Sequence, residues 1–418
     1  MGHCQLLGDS VVNERSLDRM TFIIPCLLLV VTLHAGAADC SLKGGIGLPE
    51  AKQKKVQELR TDTADQAAIR FDMAIDYAKA GNTEKALDLL RDALKDTPWL
   101  DPSAEPAFKP LFGCSDFEHM VTQVHRKYPR VAASRVVFTI PQKDLIPEGL
   151  ACDPTDGTLY MSSIIHRKIL KITPNGKISN FVAEAQDGLL GVLGVRIDPN
   201  DRSVWAVSEL RGQSALFHFD RNGKTLGHYP PQEPGSHEFN DLVVTSKGDV
   251  LVTDDLDNAV YKLSNGTNTL ARLDLRNRSY PNGIALAADG SSVYVAYAYG
   301  IAVMAVDGSS VVEVRAPKDI SLAQVDGFYF KTGGLNAIQN VFGGNRIVQL
   351  TLAADGRSVT SGRLFEFRSA NIDLPTTGAI YKDRFYYIVN SQIDHERDGN
   401  LLNMDKLQPI RIAILGID

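Results

Sequence analysis

From Arg135 to the C-terminus, apolar and polar residues alternate in short runs cut by Gly, Asn, Asp and Pro. A period of two is the mark of half-buried strands, and the interruptions mark turns. Residues 150–152, 158–163, 168–173 and 177–182 read as four successive strands, with turns at 153–157 and at Pro174-Asn175-Gly176. The same four-strand texture returns at 243–245, 249–254, 259–263 and 269–273. Each such unit opens on one phrase, a polar residue or a stand-in, then usually Gly, then an apolar strand. Its copies are Glu148-Gly149-Leu150, Leu193-Gly194-Val195, Asn240-Asp241-Leu242, Asn282-Gly283-Ile284, Asp326-Gly327-Phe328 and Thr377-Gly378-Ala379. Their first residues lie 45, 47, 42, 44 and 51 positions apart. A repeat in the forties with several short strands predicts a β-propeller, and six copies predict six blades over residues 135–418. Strands at 135–140 and 410–415 flank the set, and one of them is expected to complete the last blade and remove open sheet edges. The Trp-Asp marker of WD repeats is absent, and Gly-His occurs in the propeller only at Gly227-His228, not once per repeat.

Ahead of the propeller the period changes to that of helices. Residues 52–126 read as helical, and Ala74, Tyr77, Gly81, Ala86, Leu90, Ala93 and Pro98 fall where a 34-residue tetratricopeptide repeat packs two helices. Gly81-Asn82 marks the turn between them, and residues 116–126 supply a third helix. One repeat cannot bury its own core, so residues 38–134 are expected to dock on the propeller as a cap or to bind a protein partner. Further upstream, Arg15 and Arg19 precede an apolar run from Phe22 to Leu33, and Ala35-Gly36-Ala37 reads as a cleavage site. Residues 1–37 are therefore expected to be a signal peptide, with Met20 as an alternative start. The run is too short for a stable membrane span, which predicts an exported, periplasmic or secreted protein. The formal charge is −6 and no basic run occurs, which argues against nucleic acid as a partner. Export permits a Cys40–Cys114 disulfide, while Cys152 on the first blade reads as a small buried hydrophobe.

The chemistry lies in the phrases. Equivalent positions of successive blades ring one channel, so Glu148, Asn240, Asn282 and Asp326 should converge there. Taken singly, each is an ordinary turn or strand-entry residue. Together they offer two anionic and two neutral oxygen donors, a set that suits Ca²⁺ and does not suit zinc. A cation held so is able to polarise a carbonyl or phosphoryl oxygen while a neighbouring carboxylate activates water.

This ordered set, each member opening a blade, resembles the senescence-marker-protein/gluconolactonase (regucalcin-like) family of six-bladed propellers, with paraoxonases and strictosidine-synthase-like proteins as more distant relatives. The resemblance covers roughly residues 140–416. Asp326-Gly-Phe-Tyr, Ala337-Ile-Gln-Asn340, Pro375-Thr-Thr-Gly378 and Asn390-Ser-Gln392 look like recurrent phrases of its exported bacterial members. The resemblance implies that Glu148, Asn282 and Asp326 hold a divalent metal and that Asn240 touches substrate or adds a ligand. It also implies that Asp326 assists water attack on a lactone. One departure stands out. Sugar-lactonase members carry an Arg two residues before the substrate-contacting Asn, and here Glu238 occupies that place. An acidic residue there repels a sugar acid.

His237 is a further candidate, either a mouth-lining group in the manner of paraoxonase histidines or an exposed loop residue. Asn340 is expected near the channel, and Asp394-His395-Glu396 reads as a solvated loop rather than a triad. No Gly-x-Ser-x-Gly elbow is present. The sequence thus predicts an exported Ca²⁺-dependent hydrolase of a lactone or related ester, acting on a small molecule. The alternatives are a non-catalytic ligand- or partner-binding propeller with a structural calcium, and a condensing enzyme of the strictosidine-synthase type.

Overall fold

The structure is a computed structural model that describes residues 65–331 and 333–417. The signal segment, Met20 and Cys40 lie outside the described residues. Six four-stranded antiparallel sheets follow one another along the chain. Blade one is built from Leu150–Cys152, Leu159–Ser163, Lys168–Ile172 and Ile178–Val182. The first strands of blades two to six are Gly191–Ile197, Phe239–Val244, Ile284–Leu286, Val325–Lys331 and Gly378–Tyr381. Both flanking strands belong to blade six, where Arg135–Ile140 pairs with Ile410–Gly416 as the outermost strand. The two ends of the chain therefore close the ring together. Blade five gains a fifth edge strand, Val131–Ala132.

The phrases that set the repeat are the seams between blades. A Cβ on Gly194 would sit 2.7 Å from the Asn240 carbonyl oxygen, and one on Gly327 would sit 2.7 Å from that of Thr376. A Cβ on Gly149 or Gly283 would run into the carbonyl oxygen of Leu193 or Asp326. Glycine recurs because each innermost strand presses its backbone on that of the next blade. Blade three has Asp241 at this place, and its seam to blade four is made by Thr253 Oγ1 donating to the Asn282 carbonyl at 2.7 Å. Thr376 and Thr377 hydroxyls donate to the Glu148 carbonyl and close blade six on blade one. In blades two, three and five the register slips within the phrase, at 192–195, 239–242 and 325–328. Such bulges re-aim a side chain, here towards the channel.

Among the described residues three α-helices precede the ring: α1 (Gln66–Lys79), α2 (Thr83–Leu94) and α3 (Ser115–Lys127). Asn82 caps α2 through Lys85 N at 3.1 Å, and Gly81 supplies the left-handed turn with φ +77°. Ala74, Ala86, Leu90 and Ala93 are buried, as their spacing predicts. The helices dock rather than stand free. Phe71 stacks on Phe342 at 5.7 Å, the Asp65 carboxylate accepts from Ser321 Oγ at 2.6 Å, and Tyr299 donates to Asp72 at 2.6 Å. Among the described residues no helix is long and apolar enough to cross a membrane. Cys152 is a free thiol at the end of its strand, and burial pushes its pKa up to about 12, so it is unreactive at neutral pH.

Candidate functional site in the channel

At one end of the channel, Glu148, Asn240 and Asp326 are 8%, 7% and 6% exposed. Glu148 opens blade one, Asn240 sits in the bulge of blade three, Asn282 precedes the first strand of blade four, and Asp326 sits in the bulge of blade five. Oδ1 of Asn282 and Oδ1 of Asp326 are buried with no hydrogen-bond partner. Buried oxygens are almost always paired, so two orphans at equivalent ring positions call for a missing donor or a cation. Burial drives the Glu148 carboxyl well above its usual pKa, helped by the charges of Asp326, Asp255 and Asp241. Burial likewise raises Asp326 to about 8, against the pull of its bond from Asn340 and with the Asp241 charge adding to the rise. Buried carboxylates that repel one another are more readily ionised together when a cation joins them. The donor set, oxygen throughout and anionic in part, fits a hard divalent ion.

A second tier holds these groups, drawn from the loops that follow the second strand of each blade. Asn340 Nδ2 donates to Asp326 Oδ2 at 2.6 Å and to the Pro375 carbonyl at 2.8 Å. Ser391 Oγ donates to Glu148 Oε2 at 3.4 Å. Asn240 Nδ2 donates to Asp255 Oδ2 at 3.0 Å, while Asp255 Oδ1 is buried and unpartnered like its two neighbours. Burial, then the charge of Glu238, puts Asp255 well above the usual carboxylate range. Asp255 is a channel carboxylate that the sequence did not single out. The other is Asp241, whose carboxylate accepts from Arg196 at 2.7 Å while the guanidinium lies 5.0 Å over the Tyr329 ring.

His237 is neither a mouth residue nor an exposed one. It is 4% exposed, with Nδ1 2.7 Å from Asp254 Oδ2 and Nε2 3.0 Å from the Glu233 carbonyl. Alternation along the chain leading into the Phe239–Val244 strand explains this. Ser236, Glu238 and Asn240 face the channel cavity, whereas His237 and Phe239 face the blade core with Tyr261. Burial opposes protonation of His237, yet its bond to Asp254 holds its pKa above the ordinary value. His237, Asp254 and Asp257 also lie close enough to share an ion. Asp254 is already spent on His237 and backbone amides, and Asp257 on Arg272 and Tyr261. The site residues of the channel are the better-prepared set. His395 meets only the Leu402 carbonyl through Nδ1, and it forms no triad with Asp394 and Glu396.

The channel opens into a cavity of about 660 Å³ floored by Glu148 and Asn240. Loops joining second to third strands rim this end: Ile164 from blade one, Arg211 and Gly212 from blade two, Leu256 from blade three. The equivalent loops of blades four and five carry Tyr299 and Phe342, on which the helices sit. The helical unit therefore occupies the same face as the channel mouth.

With this geometry in view, residues 146–351, which span blades one to four and most of five, match the family model described as SMP-30/Gluconolactonase/LRE-like region. No curated protein sequence matches the chain. Among solved structures, the chain is similar to a virginiamycin B lyase from Staphylococcus aureus at 18% identity and TM-score 0.47, over 61% of this chain and 81% of that one. It is similar to a gluconolactonase from Xanthomonas campestris at 18% identity and TM-score 0.46, over 69% and 97%. A PQQ-bound aldose sugar dehydrogenase from Streptomyces coelicolor follows at 12% identity and TM-score 0.47, over 69% and 99%. Likenesses of this order carry no argument about chemistry, which has to come from the site.

Proposed function

We propose that this protein is a Ca²⁺-dependent hydrolase of a lactone or related ester. The observation that carries the reading is the pair of buried, unpartnered oxygens, Asn282 Oδ1 and Asp326 Oδ1, beside the buried carboxylate of Glu148. Glu148, Asn282 and Asp326, with Asn240, would hold a divalent cation that, when bound, polarises the ester carbonyl. Asn340 fixes one oxygen of Asp326 and leaves the other facing the site. The Asp326 carboxylate would orient a water against the carbonyl and take its proton. The water oxygen then bonds to the carbonyl carbon, the C–O bond to the leaving oxygen breaks, and that oxygen takes the proton Asp326 held. The products are an acid and an alcohol, joined in one molecule when the substrate is a lactone.

Export and a tetratricopeptide-type role for the helices belong to the same proposal. A helical unit seated beside the mouth is placed to present a partner to the channel, or to wall it. The test is a calorimetric Ca²⁺ titration of metal-stripped protein with Asp326→Ala alongside, followed by a lactone and ester panel. One-site binding lost in the variant, with turnover that needs the metal, supports the hydrolase. Binding without turnover on any ester favours the non-catalytic propeller, and turnover retained by Asp326→Ala sinks the mechanism.

A further inference from the structure

The cavity above the channel has an unusual wall. Between its second and third strands blade six carries a long insertion, residues 389–409, which forms the small hairpin Glu396–Arg397 and Asn400–Leu401. The hairpin reaches blade two, where Arg211 Nε donates to the Asp398 carbonyl at 3.2 Å and Gly399 packs on Leu210. It thereby brings Glu396 and Asp398 to the same cavity as Glu238 and Glu209. Arg211 is the only basic residue among those lining the cavity. The apolar part of the wall comes from Ile164, Leu193, Leu210, Leu256 and Ile393. At the floor lie the deeply buried Glu148 and Asn240, with the unpartnered Asp255 Oδ1 behind Asn240.

A divalent ion at the floor offsets two of the three carboxylates there, Glu148, Asp326 and Asp255, and Arg211 offsets one of the four on the wall, so acidic groups remain in excess. Lobed walls of one sign with an apolar lining attract the opposite charge and repel the same one. We infer that the channel selects an ester or lactone whose alcohol or ring side carries a cationic ammonium-type group, with Glu238, Glu396 and Asp398 as its specificity-determining residues. This rests on the hydrolase reading and names its substrate class.

The test uses three γ-butyrolactones that differ only in a trimethylammoniomethyl, neopentyl or carboxymethyl ring substituent, assayed with the full chain in Ca²⁺. The cationic probe should exceed the neutral isostere about tenfold in kcat/KM at low salt, chiefly through KM, and the advantage should shrink as salt rises. The anionic probe should fall below the neutral one. Glu396→Gln/Asp398→Asn should reduce the cation-to-neutral ratio several-fold, a ratio that does not depend on how much of the variant is folded. Equal rates for the three probes, or a ratio indifferent to salt and to the double substitution, overturn the inference while leaving the hydrolase in place. Tetramethylammonium binding is followed in parallel by titration. If no probe is hydrolysed but the cation binds and the double variant loses it, the hydrolase reading falls and cation selection stands. If neither hydrolysis nor cation binding occurs, both fall.

Discussion

Asn340 holds Asp326 by a 2.6 Å bond from Nδ2 to Oδ2, and the same amide is anchored at 2.8 Å to the Pro375 carbonyl of the next blade. Asp326 is thus held by an amide that also ties blade five to blade six. Loss of groups that orient a ligand typically weakens metal affinity about 10–100-fold. Asn340→Ala should therefore weaken Ca²⁺ binding by about tenfold or more while the thermal midpoint moves little. Titration calorimetry and a melting curve on the same preparation check this. Unchanged affinity would make Asn340 a seam residue only.

Metal-free protein should be most stable at mildly acidic pH. Asp326 rises from 3.8 to about 8 on folding, and Glu148 moves in the same direction. Between those limits the folded state binds more protons than the unfolded one, so stability falls as pH rises from about 4 to about 8. Denaturant melts in chelator should lose a few kcal/mol from pH 5 to pH 8. Ca²⁺ should abolish most of that slope, and Asp326→Asn should flatten it without metal. A slope that rises with pH in chelator would contradict the buried pair.

The glycine seams make a steric prediction. Gly327→Ala places a methyl 2.7 Å from the Thr376 oxygen and 2.9 Å from the Thr377 Cα, backbone atoms that cannot swing aside as a side chain would. The cost should be about 2–3 kcal/mol by denaturant unfolding, in the range of overpacked cores. Gly266→Ala, in an open turn with nothing within 4 Å, should cost less, mainly through its φ of +78°.

Thr376 and Thr377 both donate to the Glu148 carbonyl. Changing both to Val leaves that buried oxygen without either hydroxyl, at about 1–3 kcal/mol. Because the carbonyl belongs to a residue of the site, Ca²⁺ affinity should fall with stability. A stability loss with intact affinity would separate the seam from the site.

The repeat was legible because its two ingredients obey independent constraints. Glycine is required by the blade-to-blade backbone approach, and the residue before it is aimed at the axis by a bulge or strand entry. Even the exceptions have reasons, since Leu193 lines the cavity wall and Thr377 closes the ring. The strand limits of blade one were readable to within a residue at each end, as alternation and Asp/Gly turns coincide there. Asp255 was not legible. It lies in Thr253-Asp254-Asp255-Leu256-Asp257, where three carboxylates look alike until the loop folds. Then Asp254 caps backbone amides, Asp257 meets Arg272, and Asp255 alone turns to the channel. A second periodicity held the clue: Asp255, Asn340 and Ser391 all follow the second strand of their blades. His237 misled because its neighbours Ser236 and Glu238 face the channel cavity while it turns to Asp254 in the blade. Glu396 read as solvated since nothing local announces a hairpin that crosses to blade two.

Glu148 comes from the first blade to be synthesised, yet its carbonyl and carboxylate are held by Thr376, Thr377 and Ser391 of the last. Arg135–Ile140 likewise waits for Ile410–Gly416 before blade six exists. Closing contacts this far apart in sequence is the slow part of folding. A nascent or truncated chain therefore has every candidate ligand but no assembled cradle. The cation would reward only the finished circle, acting as a latch that favours completed molecules over partly wound ones.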